Sequence, residues 1–217
     1  MTSRWLNVNH LVDMAKDKAS EFLTKEQIIT AAQETIRRYG VSKTSVTDVA
    51  KLLGVSHGTI YRHYASKKEL LEGVTAQWLE DEIIAPLGKV VRERSNPEER
   101  IQHLKLYIET LIQLKRHYAS SDTELFEMYA RVTQESADII YRHVEQLTQH
   151  LTEIIQQDRH LNIKSPGKVA AAILHATARF HHPAHAYEWH SQTIDEEFEQ
   201  VWLLVVLGML HLNIGRD

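Results

Sequence analysis

The chain has 217 residues, enough to bury one large core or two small ones, and its 43% hydrophobic and 25% charged content is that of an ordinary soluble globular protein. Cysteine is absent, which excludes disulfides, thiolate metal sites and cysteine nucleophiles. The net charge of −4 alone argues against a nucleic-acid partner, but residues 1–68 hold 11 Lys/Arg against 6 Asp/Glu and the remainder 14 against 23, so a basic head on an acidic body suits DNA at one end.

With 8 Gly and 4 Pro among many Leu, Ile, Ala, Glu and Gln, the composition favours helix. Residues 1–23 read as an N-terminal extension with a helix from Val8 to Phe22. Thr24 with Gln27 then forms a capping box, in which each side chain satisfies a free backbone donor of the other. The helix it opens carries Ile28, Ala32, Ile36 and Tyr39 on one face and ends at Gly40. Ser45 with Asp48 opens a short helix closed by Gly54; Ser56 caps the next, and Ser66 with Glu69 opens a fourth. Lys67 to about Arg94 reads as one helix in which Pro86 forces a kink or break. Asn96-Pro97 starts a helix to about Tyr118. Asp122–Arg159 is helical in two pieces that part near Gln134, and Ser165-Pro166 leads a helix to Phe180. His181–Ser191 reads as a loop, and Thr193 with Glu196 caps a last helix that ends near Asn213. No stretch keeps the period-two alternation of a strand, so the fold class is all-α.

The crowding of caps in the basic head has a specific pattern. Two helices that cross closely need a small residue at the crossing, a glycine in the turn, and apolar residues that lock the second helix onto the first. Ala50, then Gly54 four residues on, then Ile60 six further on, have the spacing of a helix-turn-helix, and Val49, Leu53 and Val55 complete its inner face. Any helical hairpin can carry an alanine and a glycine at that spacing. The second helix, His57–Tyr64, goes further by offering His57, Thr59, Tyr61, Arg62 and His63 as an outward polar set that a buried core helix would not carry.

The stretch from Thr24 to Val74 resembles the DNA-binding domain of the TetR (tetracycline-repressor) family. The resemblance is most specific at Gly54-Val55-Ser56, Thr59-Ile60-Tyr61, Tyr64, Lys67 and Glu69-Leu70. It covers about a quarter of the chain; the rest agrees in length, helical content and helix order. It implies a three-helix helix-turn-helix domain over 24–70 and a larger helical effector-binding and dimerisation domain over 71–217. It also implies a homodimer on a pseudo-palindromic double-stranded DNA operator, a repressor that lets go when a small molecule of unknown identity occupies the C-terminal domain. Carried over by position, Thr47, His57, Gly58, Thr59, Arg62 and His63 face base edges, while Thr44, Ser45, Tyr61, Tyr64 and Lys67 hold phosphates; Ser56 joins them as the cap of the reading helix. Hydroxyls and amides at the starts of short helices suit phosphate, and base edges need donors and acceptors inside the major groove. His57 and His63 are not fixed by the family pattern, which makes them the determinants of which operator is read.

In the body, the last helix is apolar nearly all round, with Phe198, Val201, Trp202, Leu203, Val205, Val206, Leu207, Met209 and Leu210, as expected of a helix buried on most sides. The small-residue segment Val169–Ala178 permits close packing. Together, segments 169–180 and 197–212 form an expected dimer interface, burial within one protomer being the alternative. A ligand cavity is expected among the long helices, with Trp78, Tyr107, Tyr129, Arg131, His175 and Arg179 as candidate lining residues. Of the 14 histidines, five fall between His175 and His190. With Pro183 among them and no carboxylate nearby until Glu188, solvated loop histidines are preferred over a metal site. No cofactor is expected. Without a nucleophile elbow, a phosphate-binding glycine loop or an HExxH pair, catalysis is not expected either. An architectural DNA-binding role would need no long acidic domain. The opening MTSRWLNVNH lacks the layout of a secretory leader, and Trp202–Leu210 is too short to span a bilayer, so the expectation is a cytoplasmic protein without a membrane partner.

Overall fold

A computed structural model describes residues 23–93, 100–157 and 163–214. The helix expected over Val8–Phe22 and the start expected at Asn96-Pro97 lie outside the described residues. Every described element is helical, and the chain's contacts divide it into two compact units, one ending at Thr75 and the other beginning at Ala76.

The first unit is built by its caps. Helix α1 (Lys25–Tyr39) begins with the Thr24–Gln27 box: the Thr24 amide donates to Gln27 Oε1 at 2.9 Å and the Gln27 amide to Thr24 Oγ1 at 3.2 Å. Helix α2 (Val46–Leu53) begins with the reciprocal Ser45–Asp48 pair at 3.1 and 3.3 Å. Gly54 ends α2 at φ 67°, ψ 24°, a left-handed conformation that an L side chain adopts only at a cost of about 1–2 kcal/mol. From there the chain turns into α3 (His57–His63), capped by Ser56, whose Oγ accepts the Thr59 amide at 3.2 Å. Helix α4 (Lys67–Leu79) follows, its start held by the Glu69 amide donating to Ser66 Oγ at 3.1 Å. Ile28, Ile36, Val49 and Ile60 are fully buried, with Ala32 and Ala50 nearly so. Truncating one such isoleucine to alanine costs roughly 2–5 kcal/mol. Tyr39, expected on this apolar face, is 52% exposed; it sits in the last turn, at the rim of a surface pocket that it shares with Asp48, Lys51 and Leu52 of α2.

The expected single helix from Lys67 stays helical past Pro86 but changes register. Between α4 and α5 (Ala85–Arg92), residues Glu80–Ile84 form a π turn in which the Ala85 amide donates to the Glu80 carbonyl. Proline has no amide to donate and its ring crowds the carbonyl four residues back, so the wider turn just before Pro86 absorbs what would otherwise be a break.

The second unit continues with α6 (Arg100–Ser121), α7 (Thr123–Glu135), α8 (Ala137–Gln156), α9 (Pro166–Ala176), α10 (Ala178–His181) and α11 (Ile194–Ile214). The expected parting near Gln134 falls at Ser136. The helix expected to reach Phe180 is interrupted at Thr177 and resumes as α10, and the segment expected as a loop carries a 3-10 helix over Pro183–Glu188, with the His182 ring accepting the Ala184 amide at its start. Leu104, Ile108, Leu111, Leu125, Met128, Leu151, Ile154 and Phe180 make its core.

Helix α11 differs from expectation. It buries Phe198, Trp202 and Met209 but leaves Leu203, Leu204 and Leu207 at 58%, 70% and 54% exposure. Among the described residues, only one side of it is covered by its own chain. Between it and α9 lies an open groove of about 710 Å³ lined by Val169, Ala172, Ile173, Val201, Leu204, Val205 and Gly208.

Candidate functional site

The twelve head residues expected at DNA divide three ways. Thr47, Ser56, His57, Gly58, Tyr61 and Arg62 are exposed. They occupy the start of α2 and the outer side of α3, with the His57 and Tyr61 rings edge to face at 6.2 Å. Ser45, His63 and Lys67 are half-buried; Ser45 is committed to Asp48, and Lys67 Nζ donates to the Val41 carbonyl at 3.2 Å, tying the start of α4 to the loop before α2. Thr44, Thr59 and Tyr64 are buried.

The outward orientation expected of Thr59 is therefore corrected. It lies beside Ile60 on the packed side of α3, and its hydroxyl shares a 3.0 Å hydrogen bond with the capping Ser56. The Thr44 hydroxyl likewise turns inward, donating to the Gly40 carbonyl at 2.9 Å. The Tyr64 ring packs against Gly73, where an added Cβ would come within 2.8 Å of it, and Lys25 Nζ stands 5.5 Å from its centre. These three build the platform behind the exposed row. A seven-residue helix shows too little periodicity for sequence to tell its third residue from its second.

Chemically, the exposed row offers an imidazole, a phenol, a guanidinium, two hydroxyls and a bare backbone at Gly58, where an added Cβ would meet nothing nearer than Ser56 Oγ at 3.7 Å. The helix that carries them is fixed by caps at both ends of the turn.

The description "Bacterial regulatory proteins, tetR family" belongs to a family model that matches residues 28–74, and "Tetracyclin repressor-like, C-terminal domain" to one that matches residues 98–202. The chain belongs to the TetR family. Among curated relatives, this TetR-family chain is similar to the HTH-type transcriptional regulator TtgR of Pseudomonas putida, at 39% identity over 64 residues, 30% of either chain. It is also 28% identical over 93 residues to the HTH-type transcriptional repressor KstR2 of Mycobacterium tuberculosis, 43% of this chain and 45% of the relative. The matches thus span less than half the length of these relatives. A transcriptional regulator from Rhodococcus sp. Rha1 has a similar fold, with TM-score 0.55, 18% identity, and 87% and 97% of the two chains covered.

Of the ligand candidates in the body, the structure brings two together. The rings of Trp78 and Tyr129 lie 5.3 Å apart in the core. Tyr107 is buried elsewhere against His150, its hydroxyl 3.1 Å from Nδ1. Arg131, His175 and Arg179 do not join them. Arg131 pairs with Glu135 on the exposed side of α7 at 3.0 Å, His175 is exposed on α9, and Arg179 is held at the surface between Glu188, at 2.6 Å, and Glu197. A charged side chain near the surface gains more from a carboxylate partner and water than from a hydrophobic cluster.

The histidine tract is not uniformly solvated either. His185 pairs with Glu188 at 2.7 Å and His190 is exposed, but His181 is buried beside Thr177, and burial pushes its imidazole down to about 3.

Sequence reasoning missed Lys115 and His143. Lys115 is 1% exposed, its ammonium 3.9 Å from the centre of the Tyr129 ring, 5.7 Å from that of Trp78 and 3.5 Å from His143 Nε2. The signal was present: residue 115 falls on the same helical stripe as Leu104, Ile108, Leu111 and Ile112, where a charge is out of place.

Proposed function

We propose that this TetR-family chain is a cytoplasmic, ligand-responsive transcriptional regulator that acts as a repressor. It binds a pseudo-palindromic operator as a homodimer, releases it when a small molecule occupies the body, and catalyses nothing. The observation that carries this reading is the exposed row Thr47, Ser56, His57, Gly58, Tyr61 and Arg62 on a firmly capped helix-turn-helix. In this reading His57, Gly58 and Arg62 face base edges in the major groove, and Tyr61, Ser45 and Lys67 hold phosphates. Residues 24–70 are the reading head and 71–217 the effector and dimerisation domain.

The homodimer is supported by α9 and α11. An exposed apolar face that includes Leu203, Leu204 and Leu207 is what a protein–protein interface presents before it is covered. Gly208 adds a geometric argument. A mid-helix glycine costs about 1 kcal/mol relative to alanine, yet an added Cβ here would meet nothing within 4 Å. Nothing among the described residues requires the glycine, whereas the close crossing of a second α11 would.

In such a dimer the two reading helices must stand about 34–36 Å apart to enter successive major grooves. An effector changes operator affinity only by binding one arrangement better than another. The α4–α5 segment, with its π turn ahead of Pro86, is where that spacing changes.

The test uses an operator selected from random duplexes with the purified protein. His57→Ala and Arg62→Ala should each lose about 1–3 kcal/mol on that sequence, with little change on random DNA. Lys67→Ala should weaken both and flatten the slope of log affinity against log salt by about one unit. Equal losses on both DNAs for all three variants, followed by fluorescence anisotropy, would remove the base-reading assignment.

A further inference from the structure

The face of α11 that the described residues leave open has a polarity along its length. Phe198, Trp202 and Met209 mark the buried line of the helix; opposite them Glu196, Gln200, Leu204 and Leu207 recur at helical spacing and are exposed. Between Asp195 and Glu199 the helix carries four carboxylates, and three are held by cations of the same chain: Asp195 by Arg116, Glu197 by Arg179 and Glu199 by Lys105. Glu196 is the fourth, and among the described residues it has no cation partner.

The other end of the face is basic. Phe180 meets Phe198 edge to face, their ring centres 5.4 Å apart. From that contact the two walls of the groove run in the same direction in space but opposite directions in sequence: α9 leads back toward Pro166 while α11 leads on toward Gly208. The exposed Lys164 and Lys168 therefore line the groove at the end that holds Gly208 and Met209. Neither has a carboxylate partner among the described residues. A surface with an acid at one end, leucines in the middle and two lysines at the other end is complementary to itself after half a turn. At about 1.5 Å per residue, Glu196 lies about 12 Å before Leu204. A two-fold axis through Leu204 and square to the helix carries it about 12 Å beyond Leu204 on the other copy, at the lysine end. An axis along the helix would instead set Glu196 on Glu196 and lysine on lysine, and like charges across an interface are strongly disfavoured.

We propose that two copies of the chain meet with α11 antiparallel to α11 across a two-fold axis near Leu204, and with Glu196 of the partner subunit seated between Lys164 and Lys168. The proposal rests on the homodimer reading above and adds the register in which the copies meet. Leu204 and Leu207 supply the apolar area at the centre of the contact. The two symmetry-related charge contacts lie at its rim, where ion pairs add little affinity but select one alignment against others.

The chain has no cysteine, so pairs can be introduced on a clean background. Glu196→Cys and Lys168→Cys are made singly and together in the full-length protein and oxidised, with light scattering reporting the dimer. The double variant should give a covalent dimer on a non-reducing gel. Glu196→Cys alone should not, because its two copies would stand about 24 Å apart and a disulfide needs Cα atoms within about 7 Å. Charge reversal gives an independent reading at residues whose exposure spares the fold. Glu196→Lys, and Lys164→Glu with Lys168→Glu, should each raise the dimer Kd about tenfold or more in low salt. All three changes in one chain should restore it, and at about 1 M salt every variant should converge on the wild type. A covalent dimer from Glu196→Cys alone, a double-cysteine dimer that does not cross-link, or reversals that leave the Kd unchanged overturn the register and leave the homodimer standing. A wild type that is monomeric at micromolar concentration overturns the homodimer reading, and the register with it.

Discussion

Changing Leu204 and Leu207 together to Asp is expected to give a folded monomer and to weaken operator binding at least a hundredfold. Both side chains are more than half exposed in the single chain, at 70% and 54%, so in a free protomer the new carboxylates stay in water and folding is spared. In a dimer they are not. A two-fold interface brings each substituted helix face against its own copy, so four carboxylates would be stripped of water close to one another. Losing the dimer separates the two half-site contacts, and linked contacts raise affinity by about 10²–10⁴ over single ones. The choice of residues matters. Met209 lies on the same helix but is 2% exposed, so an aspartate there would unfold the body and report nothing about partners. Light scattering, circular dichroism and anisotropy together decide it: a variant that stays dimeric with unchanged affinity, or a wild type that is monomeric at micromolar concentration, removes α9 and α11 as the interface.

The second large effect is on acid stability, and its source is His181. In the folded chain, burial first, and then the nearby Lys115 and His182, hold its imidazole down to about 3, against about 6.5 in the unfolded chain. Above pH 6.5 neither state is protonated and the group has no effect on stability. As pH falls from about 6.5 towards 3, the unfolded chain takes up a proton that the folded chain refuses, so stability is lost. At about 1.4 kcal/mol per pH unit the loss reaches roughly 3 kcal/mol by pH 4. His143, lowered by burial and by Lys115 and His181, adds in the same direction. Urea unfolding of the wild type and of His181→Gln at pH 7, 5.5 and 4 separates this from the general effect of acid. The wild type should lose about 3 kcal/mol more than the variant over that range; parallel losses would mean that His181 protonates in place.

Much of the head was legible because its signals are local. A capping box is a contract between residues three apart, and Thr24–Gln27 and Ser45–Asp48 both form as written. Gly54 likewise announces a left-handed turn residue by its own chemistry. What was not legible depends on which side of an element meets its neighbour. Thr59 and Tyr61 are two residues apart on a helix of seven, and only packing against α2 decides that the first is buried and the second exposed. Pro86 signals a disruption of the helix, but not that a wider turn over Glu80–Ile84 absorbs it and lets the helix continue. The histidines from His175 to His190 look alike in sequence, yet Pro183 starts a 3-10 helix that leaves His181 in the core and His190 in water. Lys115 lay in plain view on an apolar stripe and was passed over, because a single charge in a long helix is usually a surface residue.

The most direct test of the central claim is a footprint of the wild-type protein on its selected DNA, with the mass of the complex measured in parallel. The account predicts two half-sites related by a dyad, their centres about 10–10.5 base pairs or a multiple of that apart, protected by a protein dimer. Protection of a single asymmetric site by one protomer, or no enriched sequence at all, would contradict it.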